Sequence, residues 1–545
     1  MPALAVHQDR CEAVSHLDMS RICEIRVPDM ASAGEGAALF GLLGALLPVR
    51  FVDDRRVDRA AGEIIVAAPD VPSTRGPAHP LPTLRMPAPS TDEDDGRSVE
   101  LSVSFSDDIE VPFPFRGRVI HTRWPASCAG LSPGPGDRVL ASTPRGPAWS
   151  VSITGDTRHF ESSLPWPRVG AETRFSDVFN ADCFLPMLVL LQFLHVAGAN
   201  DYRKAPLRAS FIVDDPNLHW PRYGFIDYGD LARHAAAWNY HVAFATIPID
   251  TWFTHQPTAA LFRRNEPWLS LLVHGNNHVK EELARRYSDV ARTALLQQAL
   301  RRIEQLEKTA DLRVCRVMVP PHGACSADML GALAQAGFEA ACISTGSLLA
   351  HNPNEAWART LGFAPAALVN GCPVLPRWAM TGNARTHLIL AAYLGQPMIL
   401  RGHHHDLKNG LDVLGELAQF INGLGEVRWS SISGLCRLNY QWRMEGTVCR
   451  VRPFGTSIAV DPPARATAIF VEELGGTTDS CEERPVVEVT PGKYIELMDR
   501  GERAIQIECE KVRRPAFPAT REQQTPPGFI LRRLLTEARD RLLMG

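Results

Sequence analysis

Residues 209–217 read ASFIVDDPN: a short apolar run, two adjacent carboxylates, then the turn pair Pro216-Asn217. A run of this kind suits a strand buried on both faces that hands its last side chains to a loop. The same cadence returns downstream. Residues 242–246 read VAFAT, 269–273 read LSLLV and run into His274, 314–319 read VCRVMV and run into Pro-Pro-His-Gly, 340–344 read AACIS, and 398–401 read MILR and run into Gly402 and three histidines. Helical patterns separate these segments, the clearest over 281–309, where Leu296, Leu300, Ile303 and Leu306 recur at helical spacing. Such alternation predicts parallel strands with crossover helices, either an open doubly wound sheet or a barrel.

Working outward, residues 40–50 (FGLLGALLPVR) predict an apolar helix and 62–68 a short strand, followed by an exposed loop over 69–97 with seven prolines and the acidic run TDEDDGR. Strands are expected at 98–105, 118–122, 138–141 and 148–154, and a buried helix at 184–197, whose apolar run is too short for the roughly 20 residues of a membrane span. Beyond Gly425 the helices are expected to stop. Residues 427–432, 447–451, 467–471, 486–489 and 504–508 read as short strands of a small β-sandwich, and 529–543 as an amphipathic basic helix. The expected organisation is an α/β region over 1–165, a connecting helix over 166–204, the strand–helix alternation over 205–425, a β-rich part over 426–515 and the terminal helix over 516–545.

The 545 residues carry 57 Lys plus Arg against 61 Asp plus Glu, a net charge of −4, with 45% hydrophobic residues and mean hydropathy −0.11. This is a globular composition with no broad basic field, which argues against a nucleic-acid partner. The twelve cysteines are scattered without a CxxC pair, so no disulfide scaffold is expected. The first 30 residues lack an apolar stretch with a cleavage site, and a cytoplasmic location is expected.

Three polar clusters stand where predicted strands end, the place where active sites of parallel α/β folds gather. At Asp214-Asp215, successive side chains point apart, so one carboxylate can hold a metal ion while the other serves as a base, although a turn or helix cap also accounts for the pair. His274 and His278 are spaced to converge on one divalent ion such as zinc, but Gly275 occupies the place of the glutamate in HExxH and argues against a metalloprotease helix. His403, His404 and His405 supply an imidazole proton donor near neutral pH. Trp220, Tyr223, Phe225 and Tyr228 could stack on a ring of a ligand or simply pack, and Cys315 and Cys325 read as structural thiols.

Taken together, Asp214-Asp215, His274-x-x-x-His278, the Pro321-His322-Gly323 turn and the late histidines resemble the polysaccharide deacetylases, the NodB-homology metal-dependent carbohydrate esterases, over about residues 205–425. The resemblance implies an incomplete (β/α) barrel, a divalent metal, commonly zinc, and removal of N-acetyl groups from amino-sugar polymers. It implies Asp214 as general base, Asp215, His274 and His278 as metal ligands, and a late histidine as general acid. Strand alternation sets His403 and His405 on one face and His404 on the other. His403 is favoured, with His404 entering if the chain bulges at Gly402. A backbone N–H of the turn Pro321, His322, Gly323 is expected to steady the oxyanion.

The sequence also departs from that pattern. Val319 stands where the family carries an arginine that steadies the base, His322 stands where it carries an aromatic residue, and Gly-Asn-Asn separates the two metal-site histidines. These departures imply a divergent branch with its own flanking domains. They also leave open a glycan-binding protein without turnover, or a hydrolase of a small N-acyl metabolite.

Overall fold

The computed structural model describes residues 22–28, 36–53, 60–67, 80–87, 98–125, 128–472, 505–508, 528–529, 531–533, 535 and 538. The chain divides into two compact units, Met1–Asp201 and Tyr202–Gly545. Unit one is built on a nine-stranded mixed sheet in the order Val49–Val52, Cys23–Arg26, Gly62–Ala67, Thr83–Pro87, Thr157–Ser162, Gly146–Thr154, Arg138–Thr143, Ser98–Phe105, Val119–Pro125. The helices Gly36–Leu46 and Leu185–Val196 bury most of their length. One expectation fails here. Thr83–Pro87 lies inside the stretch read as a loop, yet it is a central strand, because Leu84 and Met86 alternate into the core while Pro82 precedes it and Pro87 ends it.

Unit two is organised by seven strands: β1 (Leu207–Asp214), β2 (Val242–Thr246), β3 (Leu269–Val273), β4 (Val314–Met318), β5 (Ala340–Cys342), β6 (Cys372–Leu375) and β7 (Met398–Gly402). They pair in parallel in the order β6-β5-β4-β3-β2-β1-β7, with Ala367–Val369 antiparallel on β6 and Trp378–Ala379 parallel on β7. Each β1–β5 step places the next strand beside the last, and the helices Tyr228–Trp238, Gln256–Arg264, Asp289–Ala310 and Ala327–Gln335 fill the crossovers. Ile212, Ala243, Ala245, Leu272, Val317, Ala340, Cys342, Leu375 and Ile399 belong to one buried cluster. Near-continuous apolar runs are what a sheet covered on both faces requires.

The region after Gly425 also corrects the reading. Val427–Trp429 pairs in parallel with the start of β1 rather than joining a sandwich, and Ile432–Arg437 is a further helix. Its Ile432, Leu435 and Cys436 fill the central cluster, and this tertiary burial holds a helix where helices were expected to have stopped. Tyr440–Glu445, Val448–Pro453 and Ala468–Val471 form a four-stranded sheet with Arg203–Lys204, while Ser457–Val460 pairs with Ile505–Glu508. Cys449, Val451, Ile458, Val460 and Ile469 share one small core. The expected strand at 486–489 lies outside the described residues. The described part of the C-terminal helix sends Arg533 to Asp250, with contacts of 3.1 and 2.5 Å. Among the described residues, no helix is long and apolar enough to cross a membrane.

Candidate metal centre and cavity

Alternate residues of a strand share a face, so the residue two positions beyond a core side chain continues that face at the strand end or just past it. Five strands of unit two do this with a polar residue. Asp214 follows Ile212, His274 follows Leu272, Ser344 follows Cys342, Arg377 follows Leu375 and Arg401 follows Ile399, and all five polar residues line one cavity of about 180 Å³. Asp215, His278, His322, Gly323, Ser347 and His403 complete its walls.

Asp215, His274 and His278 converge in this cavity, their ligating atoms all within 4.8 Å of one another. The Asp215 Oδ1 lies 2.8 Å from Nε2 of His278 and 3.2 Å from Nε2 of His274. Asp215 and His278 both adopt left-handed backbone conformations, with φ of 79° and 56°, which turn their side chains back toward the strand end. The Nδ1 of His274 lies 2.6 Å from the Val319 carbonyl oxygen; donation there leaves the Nε2 lone pair facing Asp215. Asp215 Oδ1 is buried and takes part in no hydrogen bond. Buried lone pairs that face one another without a proton between them are what a divalent cation satisfies, and one carboxylate with two imidazoles is a donor set suited to zinc. The residues therefore fit the metal. Burial alone would raise the Asp215 carboxyl, but the two imidazoles outweigh it and hold it well below the usual carboxylate range. For His274, burial works against a positive charge, while Asp215 and Asp214 more than offset it and raise its affinity for a proton.

The loop between the two histidines has its own support, which sequence reasoning missed. The buried Glu282 carboxylate accepts the backbone N–H groups of Asn276 and Asn277 at 2.8 Å and of His278 at 3.2 Å. Arg302 reaches the Asn276 carbonyl at 3.3 Å and the Asn277 side chain at 3.0 Å. Gly275 is required at φ +63°, since a Cβ there would lie 2.6 Å from Pro321 Cγ and 2.7 Å from a Glu282 oxygen. A carboxylate four residues after His278 was the available signal.

Asp214 is 4% exposed, and both of its oxygens receive the Arg377 Nη1, at 2.9 and 3.0 Å. Arg377 thus supplies from beyond β6 the cation that is missing at Val319. Its signal in the sequence is an arginine two residues past the apolar run CPVL, the same offset that places the other lining residues.

The histidine run divides after His403, so the expected sharing of one face by His403 and His405 fails: His405 packs with His404 and Phe225 instead. His403 lines the cavity. His404 does not: β7 ends at Gly402, the chain tightens into a short helical turn over His404–Leu407, and the His404 ring packs on Tyr223 and Phe225 over Gly224. The His405 ring lies tilted against it, ring centroids 4.0 Å apart. His404 is thereby removed from the expected acid set. In the Pro-His-Gly turn, His322 and Gly323 line the cavity, while Pro321 sits beneath Gly275. The Gly323 N–H is spent on the Pro320 carbonyl at 2.9 Å, so it is not an oxyanion donor. Burial, followed by the neighbouring His278, lowers the affinity of His322 for a proton. Tyr228 is buried, with its hydroxyl donating to the Asn217 carbonyl. Trp220 remains exposed. Burial pushes the Cys325 thiol well above its ordinary range, in keeping with a structural role.

No protein-family model matches the chain, and no curated protein matches it. Among solved structures it is similar to Agd3, described as a novel carbohydrate deacetylase, at 10% identity and TM-score 0.44 over 78% of this chain and 90% of that one. It is also similar to a family 4 carbohydrate esterase from Streptomyces lividans in complex with acetate, at 11% identity and TM-score 0.27 over 42% and 94%. A third similar structure is a CE4-family pseudoenzyme from Bacillus anthracis, at 11% identity and TM-score 0.26 over 43% and 66%.

Proposed function

We propose that the chain is a divergent polysaccharide deacetylase, a zinc-dependent hydrolase that removes the acetyl group from N-acetylated amino sugars. The observation that carries this reading is the convergence of Asp215, His274 and His278 beside an Asp214 held by Arg377. Strand connectivity supports the barrel part of the reading. From Trp378–Ala379 through β7, β1, β2, β3, β4 and β5 to β6 is seven strand steps, or about 34 Å across a flat sheet. Leu375 and Trp378 are only three residues apart, a reach of at most about 11 Å. A sheet curled into an incomplete barrel satisfies both.

A divalent ion held by Asp215, His274 and His278 would supply Lewis-acid polarisation of the acetamide carbonyl and of a neighbouring water. Asp214 accepts the proton of the attacking water. Arg377 orients that carboxylate by donating to both of its oxygens. His322 is kept neutral and offers a ring N–H toward the developing oxyanion. His403 delivers a proton to the departing amine nitrogen. Arg377 answers the departure at Val319 and so weakens the case for a binding protein without turnover.

The test is acetate release from chitin oligosaccharides and poly-N-acetylglucosamine by the zinc-loaded full-length chain, before and after chelation. Release that chelation stops and zinc restores is expected. Stoichiometric zinc without release from any N-acetylated glycan would overturn the reading.

A further inference from the structure

We infer that the cavity is built for a substrate carrying an anionic group beside its N-acyl bond, and that Arg401 is the residue that binds this group; the inference rests on the amide-hydrolase reading above. Two carboxylates and two guanidinium groups line the cavity. Arg377 is committed to Asp214, and Asp215 is committed to the histidine pair. Among the described residues, the Arg401 side chain has neither an ion pair nor a hydrogen bond.

Its position makes that isolation costly. Arg401 continues the buried run Met398, Ile399 and Leu400, shares the face of Ile399 and is itself partly buried. An aliphatic residue at 401 would extend the core without the desolvation of a lone cation. A guanidinium in this place gains its partner only when a ligand arrives, and its planar fork matches carboxylate or phosphate oxygens two at a time.

The remaining walls agree. The lining residues are acidic, basic, hydroxyl or imidazole side chains together with Gly323, and none is aliphatic. Once Asp214 is neutralised by Arg377, a dication on Asp215 and the charge of Arg401 leave the cavity positive, a field that draws anions. Arg401 lies two residues before His403 on the same strand face, a separation of about 6.6 Å. The anion is therefore borne within one sugar unit of the leaving nitrogen, either on the ring or on the acyl chain.

The experiment uses the zinc-loaded full chain and matched probes. N-acetylglucosamine is compared with its 6-phosphate and with its C6 carboxylate, and N-butyrylglucosamine with N-succinylglucosamine, by calorimetric Kd and by kcat/KM. At least one anionic probe is expected to be favoured about tenfold or more over its neutral partner, as a charge-assisted contact implies, and the favoured arm tells whether ring or acyl chain carries the anion. In Arg401→Met that ratio should fall to within about threefold, whereas Arg401→Lys should retain part of it and serve as the folded control. A wild-type chain that does not favour or does not bind any anionic probe, or a preference that survives in Arg401→Met, overturns the inference. Hydrolysis without an anionic preference would sink the inference alone. An Arg401-dependent preference in Kd without hydrolysis of any probe would sink the deacetylase reading alone.

Discussion

Asp214 and Arg377 are both almost wholly buried, and each is the other's ion partner in the cavity. Removing one member of a buried pair leaves an uncompensated charge and costs about 3–5 kcal/mol. Arg377→Met should therefore lower the stability of unit two by about that amount, read from the urea unfolding midpoint. In whatever fraction folds, kcat/KM should fall, because Asp214 loses the group that orients it; an unchanged kcat/KM would remove Arg377 from the mechanism. Asp214→Asn should keep its zinc, because the ligands on Asp215, His274 and His278 are intact, yet lose about 10²–10⁴-fold in turnover. His274→Ala should lose the zinc itself. Metal content and acetate release measured together separate the two outcomes. Among the late histidines, His403→Ala should cost turnover, whereas His404→Ala should act through lost packing on Tyr223 and Phe225 and be seen in thermal stability.

At the scale of elements, the decisive segment is the loop from His274 to Glu282. Glu282 binds three successive backbone N–H groups, and Gly275 permits a turn that no side chain fits. Glu282→Gln should weaken zinc binding about 10–100-fold without touching a ligand, as loss of outer support does elsewhere, and titration against a competing chelator measures this. The strand core of the site was legible in the sequence: VAFAT and LSLLV match β2 and β3 residue for residue, and Asp214, His274 and His403 stand where apolar runs end. Arg377 was not, because β6 is only four residues long and contains a proline, so its run carried little strand signal. Nor could the sequence tell that His404 would be drawn out of the cavity by the turn at 404–407. The helix at Ile432–Arg437 escaped notice for a related reason: its six residues are held by burial against β1 and β4, not by intrinsic propensity.

For the whole of unit two, acid stability follows from a residue outside the site. His241 is buried, with Nδ1 2.8 Å from the Ser210 hydroxyl, and burial pushes its pKa down to about 3. Between that value and the ordinary value of about 6.5, the unfolded chain takes up a proton that the folded chain refuses. Stability from this group is therefore full above about pH 6.5 and lost as pH falls toward 3, at up to about 1.4 kcal/mol per unit. His241→Gln should flatten this limb in a plot of unfolding midpoint against pH; an unchanged slope would exclude His241 as its source. The proposed activity depends on the polar ends of β1 and β3 making one metal site, and the most direct measurement is X-ray absorption at the zinc edge on the zinc-loaded chain. The account predicts a first shell of two imidazoles with oxygen and no sulfur, lost in His274→Ala. A thiolate shell, or an unchanged spectrum in that variant, would contradict it.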